Sequence, residues 1–390
     1  MLYRMNKGSF PIEKFNGLQT PFYYYDSEIL DATLKTINEE IRNRKNFHVH
    51  YAIKANANSA VLQTIKEAGL GVDCVSGGEI QAALDAGFDA GKIVFAGVGK
   101  ADWEIILALD AGIFCFNVES LEELHIIDSI AASKGKMAKV CFRINPDVGA
   151  HTHANITTGL AENKFGIPME DMEKAIHEAE RLSNIEFLGL HFHIGSQILE
   201  MNDFEALCVR INELLKRLDQ QGIEVKIINV GGGLGIDYDD PNGKPIPDFK
   251  AYFDTYANGL NVKPNQEIHF ELGRSVVGQM GSLITRILYT KRGKHKQFAI
   301  VDGGMTDLIR PALYQAHHKI ENISSNEGLQ KYDVVGPICE SSDVFGKAIV
   351  LNECHRGDLI ALRSAGAYGE IMASQYNCRR LPVGVMSDKL

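Results

Sequence analysis

Several side chains in this chain stand where chemistry is usually done, at the ends of apolar runs. Lys54 closes YAIKANAN. A lysine at the inner end of an apolar strand is costly unless paired or functional, although one that snorkels outward reads the same way. If buried, it loses basicity, and a neutral amine forms a Schiff base with an aldehyde. HFHIGSQ carries His191 and His193, expected on one side of a strand because side chains alternate. A flat imidazole stacked on a ring suits His193. H-x-H also occurs at His48/His50 and His151/His153, without the cysteine or E-x-x-H partners of a zinc site, so no metal is expected. GGGLG, with Gly231, Gly232 and Gly233, exposes backbone N–H groups that can cradle an anion, or simply marks a tight turn. ELGR brings Glu271 and Arg274 together with Leu272 and Gly273. The pair is either structural or functional. A carboxylate can hold a heteroaromatic nitrogen protonated, and an arginine can clamp a carboxylate or phosphate. Arg310 and Tyr314 in DLIRPALY, Cys339 and Glu340 in GPICESSD, and Tyr368 beside glycine in AGAYGE complete the set.

These residues need a scaffold, and the sequence has a rhythm that supplies one. Eight β-branched or aromatic runs, starting at Phe47, Gly71, Lys92, Ile113, Lys139, Phe187, Lys226 and Ile268, alternate with stretches of helical period. Among those stretches are Ser59 to Gly69, Gly78 to Gly87, Leu121 to Lys134 and Phe204 to Gln221, several ending at a C′ glycine. Eight such units match an α/β (β/α)8 TIM barrel better than an open doubly wound sheet. Polar residues lie at the ends of many strands, including Lys54, Asp73, Arg143, His193, Ser196 and Glu271, and a barrel gathers its chemistry on that one face. After Arg274 the pattern turns to short strands with basic or Gly-containing turns, apart from a short helical stretch near Leu308. Phe22 to Tyr25 also reads as extended. The expectation is a barrel over residues 27–274 and a second, mostly β domain from 1–26 plus 275–390.

The 390 residues, net charge of −10 and 45% hydrophobic content fit a large-cored globular enzyme and not a nucleic-acid binder. No apolar run reaches membrane-spanning length, and the start shows no secretory h-region. Seven scattered cysteines without C-x-x-C point to reduced thiols and a cytoplasmic location. The 37 glycines leave open whether they serve turns or close approach to a ligand.

Taken together, YAIKAN, GVDCVSGGE, NKFGI, HFHIGSQ, NVGGGLG, ELGR, DLIRPALY, GPICESSD and GAYG resemble the fold-type III pyridoxal phosphate (PLP) decarboxylases, whose barrel is like that of alanine racemase, along nearly the whole chain. The resemblance implies PLP held as a Schiff base on Lys54, with His193 against its ring and Glu271 at its pyridine nitrogen. Ser196, Gly231, Gly232, Gly233 and the backbone of Leu272, Gly273 and Arg274 would hold its phosphate, and Asp73, Arg143 and Tyr368 would lie near it. Arg274, Arg310, Tyr314 and Tyr368 would grip the substrate. Cys339 would donate a proton and Glu340 would read a distal amine, both supplied by the partner of a homodimer. The retained arginines and the Cys-Glu pair favour meso-2,6-diaminopimelate, giving L-lysine and CO2, over ornithine, lysine or arginine. A racemase-like enzyme and a non-catalytic PLP-binding regulatory paralogue are the other readings. Leu272 stands where the family often has proline, Gln375 where it often has asparagine, and HTHANITTG is a less usual version of its loop.

Overall fold

Eight parallel strands pair in sequence order and close on themselves: Phe47–Ala52, Gly71–Cys74, Ile93–Phe95, Cys115–Val118, Ala138–Arg143, Ile185–His191, Ile227–Asn229 and Glu267–Leu272. Closure is set by the register Phe47↔Ile268 through Tyr51↔Leu272. These are the eight runs read from the sequence. The computed structural model describes residues 7–146 and 164–390, so HTHANITTG and His151/His153 lie outside the described residues.

Helices return the chain between strands, and their caps are local. Ser76 accepts from the Glu79 amide while the Glu79 carboxylate accepts from the Val75 amide. Ser120 and Glu123 repeat the arrangement, with Glu123 accepting from the Glu119 amide. Each such cap stabilises by about 1 kcal/mol and fixes where the strand must end. Gly69, Gly87 and Gly112 follow helices with positive φ, the conformation a helix stop asks of glycine. Val94, Cys115, Cys141, Leu188 and Ile227 fill part of the barrel core. Cys115 and Cys141 thus act as small apolar residues.

The chain forms two compact units. The barrel unit is Leu34–Gly235 with Asp248–Gly273. The other comprises the residues up to Thr33, Ile236–Pro247 and Arg274–Leu390. Residues 27–33, Ile236–Pro247 and Arg274, within the 27–274 span, therefore group with the β unit. One reason is a short tie: Gln279 Nε2 donates to the Asp237 carbonyl at 2.6 Å.

In the β unit the chain ends meet. Phe22–Tyr25 pairs antiparallel with Gly281–Arg292 and parallel with Val383–Met386. Gly281–Arg292 continues antiparallel into Gln297–Val301, the expected basic hairpin. Phe15, Phe22, Tyr24, Ile284, Leu359 and Ala361 form its core. A short helix, Arg310–Tyr314, is the one helical stretch expected near Leu308.

Candidate active site

The barrel strands deliver a buried carboxylate with its partners already in place. Glu271, in the eighth strand, is 7% exposed. Asn117 and Asn229 donate to its Oε1 at 2.9 and 2.7 Å. His191 Nε2 lies 3.1 Å from Oε2. Charge-assisted bonds contribute about 1.5–3 kcal/mol each, enough together to offset much of the cost of a buried anion. Burial pushes the Glu271 carboxyl up, but the His191 imidazole and the Lys54 ammonium outweigh it and hold the group well below the usual range. The site is an ionised carboxylate aimed by three side chains from three strands.

Lys54 follows the first barrel strand in a 3₁₀ turn, Ile53–Ala55. Its Nζ lies 3.7 Å from Asp73 Oδ2. Both Asp73 oxygens are buried and accept no hydrogen bond. Burial and the Glu271 charge push the Asp73 carboxyl well up, against the pull of Lys54 and Arg143. Lys54 remains 41% exposed at its side chain, so the strand-end lysine is neither a core residue nor a purely solvated one.

His191 ends the sixth strand and is buried, whereas His193 lies beyond the strand, partly exposed. The two therefore do not form a same-face strand pair. Burial, then the Arg143 and Lys54 cations, holds the His193 imidazole well below its ordinary pKa. Neutral His193 accepts at Nδ1 from the Gly232 amide, 3.3 Å away. The Gly231 amide donates to Asn229 Oδ1 at 2.9 Å. Two of the three expected cradle amides are thus used internally. The glycines are required by close backbone packing: a Cβ at Gly232 would lie 1.9 Å from the Glu271 carbonyl oxygen, and Gly231 holds φ +69°. Ser196 follows Gly195 on the facing loop, and Gly233 accepts from the Ile198 amide at 2.9 Å. Leu272 is fully buried at the end of the last strand.

Arg143 ends the fifth strand with Nη1 3.1 Å from Glu119 Oε1, over the Phe165 ring at 4.6 Å. Glu119 also accepts from the Gly166 amide at 2.9 Å. Sequence reasoning missed Glu119, Asn117 and Asn229, and saw His191 without its link to Glu271. A polar residue inside an otherwise apolar strand, as in FCFNVES and IINVGGG, is the signal that finds them.

The β unit holds a second cluster, built of cations. Arg274 and Arg310 are 6% and 7% exposed. Arg274 donates to the Tyr238 hydroxyl and lies 4.9 Å above the Tyr368 ring. Arg310 lies 5.9 Å from each of the Tyr368 and Tyr314 rings and donates to Tyr238 Oη at 3.4 Å. His318 Nδ1 donates to the Arg363 carbonyl at 2.9 Å, so its Nε2 accepts from Arg310 Nε at 3.4 Å. Burial, with the Arg310 charge, lowers the His318 pKa to about 3, which keeps that acceptor bare. Tyr368 has φ +56°, a strained conformation for a tyrosine that persists only when its surroundings impose it. Among the described residues Arg310 forms no ion pair with an acidic side chain. Cation–π contacts contribute about 2 kcal/mol at most, less than burying a guanidinium costs. Tyr238 and His318 escaped the sequence reading.

Cys339 and Glu340 are exposed. The Cys339 amide donates to Asn377 Oδ1 at 3.3 Å, and Tyr376 donates to Glu340 Oε1 at 2.8 Å. Neither joins the arginine cluster through a hydrogen bond or ion pair among the described residues.

A closed parallel barrel with a lysine, an imidazole, a glycine-lined loop and a buried anion at the C-terminal ends of its strands defines a pyridoxal-binding barrel of the decarboxylase type. Residues 30–278 match the family model for the pyridoxal-dependent decarboxylase, pyridoxal binding domain. A diaminopimelate decarboxylase of Bacteroides thetaiotaomicron is 67% identical over 384 residues, 98% of this chain and 100% of that protein. The crystal structure of the Helicobacter pylori diaminopimelate decarboxylase in complex with L-lysine is 40% identical, covers 96% of this chain and 93% of its own, and superposes with a TM-score of 0.91. A lysine/ornithine decarboxylase from Vibrio vulnificus, at 20% identity and TM-score 0.84 over 97% of both chains, shares the fold. The chain belongs to the pyridoxal-dependent decarboxylases, and within them to the diaminopimelate decarboxylase family. The residues present fit the cofactor: a buried carboxylate for a protonated ring nitrogen, buried Asp73 oxygens that accept no hydrogen bond, and a reachable lysine amine.

Proposed function

We propose that this enzyme decarboxylates meso-2,6-diaminopimelate to L-lysine and CO2, the final step of lysine biosynthesis. Its barrel, over residues 27–274, carries the cofactor. The observation that bears most weight is the buried, fully bonded Glu271 carboxylate on the same barrel as Lys54, in a chain 67% identical to a diaminopimelate decarboxylase.

Pyridoxal phosphate, when bound, supplies an aldehyde for an amine and a cationic ring that accepts the electron pair released as CO2 leaves. Lys54 Nζ would hold the cofactor through its aldehyde, within reach of the Asp73 carboxylate. Glu271 keeps the ring nitrogen protonated. His193, Asp73 and Arg143 would line the place the ring takes. Ser196, Gly231, Gly232, Gly233, Leu272, Gly273 and the Arg274 backbone would enclose the phosphate, with the Gly233 amide favoured over those of Gly231 and Gly232, which donate to Asn229 and His193. Tyr368, Arg274, Arg310 and Tyr314 receive the substrate, the guanidiniums taking a carboxylate in place of the acidic partner that Arg310 lacks among the described residues. Cys339 delivers the proton that replaces the carboxylate, and Glu340 takes the distal ammonium. Exposure of both in the single chain supports a homodimer in which each loop completes the partner's site. All seven cysteines are free, which supports the cytoplasmic assignment.

The test is product analysis with the purified, cofactor-loaded enzyme. One L-lysine and one CO2 per meso-diaminopimelate are expected, with ornithine much slower. Preferred turnover of ornithine, or no turnover with cofactor retained, would overturn the reading. Lys54→Ala should remove the absorbance of lysine-bound cofactor and slow turnover by at least about 10³-fold.

A further inference from the structure

The opposite rim of the barrel carries another cluster of ionisable groups. His48, near the start of the first strand, is in register with His269 on the last. Glu267 precedes His269 by two residues on the same strand. His269 Nε2 lies 3.3 Å and His48 Nε2 3.7 Å from Glu267 Oε2, and all three atoms fall within 4.8 Å of one another. Four residues of strand, about 13 Å, separate His48 from Ala52 at the catalytic end.

Hydrogen bonding sets the tautomers here. His50 Nδ1 lies 3.2 Å from the Lys92 carbonyl oxygen, which only accepts, so that nitrogen carries the proton. The other nitrogen of that tautomer, His50 Nε2, is the acceptor facing His269. It accepts from His269 Nδ1–H at 2.9 Å. With its Nδ1 donating to His50, the His269 tautomer turns the lone pair of Nε2 toward Glu267 Oε2. Lone pairs facing each other at 3.3 Å repel, and a cation between them removes the repulsion. His48 Nε2, buried and without a hydrogen-bond partner, is the third donor.

We propose that His48 Nε2, Glu267 Oε2 and His269 Nε2 bind one divalent transition-metal ion of the zinc class, with water on the open side. Two imidazoles and one carboxylate are a donor set such ions favour. Ligand bonds of about 2.0–2.1 Å in a tetrahedron place donors about 3.4 Å apart, close to the 3.3 and 3.7 Å edges. The third edge closes by rotation of His48, whose side chain is 42% exposed. The chain from His269 through His50 to the Lys92 carbonyl supplies the outer hydrogen bonds that orient a ligating imidazole. The Lys92 ammonium opposes a cation, but it is tied to the Gly69 carbonyl at 3.2 Å. The ion would staple the seam where the first and last strands close the barrel, and it is independent of the decarboxylase assignment.

The experiment strips cofactor-loaded enzyme with a chelator, then titrates zinc chloride by calorimetry. A Cys339→Ser, Cys378→Ser background removes the two exposed thiols. One equivalent per chain is expected, with an accompanying rise in Tm. His48→Ala and the double variant His48→Ala, Glu267→Gln should weaken binding by at least about tenfold. The same two changes in the parent enzyme should leave cofactor absorbance and turnover as they were. No saturable binding, or equal stoichiometry and affinity in both variants, overturns the proposal.

Discussion

The barrel and the β unit each bury strong charges, and Glu271 in the one and Arg310 in the other are met in opposite ways. In the barrel, Glu271 meets two amides and an imidazole, and Arg143 meets Glu119. In the β unit, Arg310 is braced by tyrosine rings and a neutral histidine. A charge with its protein partners in place is a fixed socket, ready for a group that stays bound. A charge stabilised only by rings and hydroxyls retains an unmet demand for an anion, which suits a ligand that comes and goes. The contrast supports the proposed division of labour, with the barrel for a resident cofactor and the arginine cluster for a substrate carboxylate.

Glu271→Gln breaks the socket most severely. It keeps shape and removes the charge that holds a ring nitrogen protonated, so kcat should fall by about 10²–10³-fold. Retained wild-type kcat would remove the electrostatic role. Arg310→Ala tests the other side. Loss of a charge-assisted, bidentate grip should raise KM for meso-diaminopimelate by about 10–100-fold, with little effect on any ornithine turnover. Equal loss on both substrates would mean that Arg310 supports structure and does not read a carboxylate. The smallest effect concerns His318, which keeps Arg310 in place. Its folded pKa is lowered to about 3 from an ordinary 6.5. The unfolded chain therefore takes up a proton that the folded chain refuses, and stability falls as pH drops from about 6.5 toward 3, by about 1.4 kcal/mol per pH unit. His318→Gln should flatten that slope in urea unfolding at pH 6.5 and 5. An unchanged slope would place the acid sensitivity elsewhere.

Much of the catalytic face was legible because strand ends are marked by composition. Lys54, Asp73, Arg143 and Glu271 each interrupt or terminate an apolar run, and a parallel barrel has only one face on which such ends can gather. The partners were harder to see. Asn117, Asn229 and His191 come from the fourth, seventh and sixth strands and meet at Glu271 only because the barrel closes. The glycine run was read as a phosphate cradle, and its backbone proves to be needed first for packing against the Glu271 carbonyl. His48 meets Glu267 and His269, more than 200 residues away in the chain, only because closure sets the first strand beside the last.

By itself the sequence determined the alternation of eight strands with helices, the change of character after Arg274, and the residue types available at each strand end. Those follow from local periodicity, capping and turn chemistry, which act over a few residues. Only the tertiary structure decided which charges are compensated and which tautomers persist. It also decided which cysteines are buried and which pair of strands brings three ligand atoms together. Those properties depend on desolvation and on distances between residues far apart in the chain, and neither exists until the barrel has closed and the β sheet has joined the two ends.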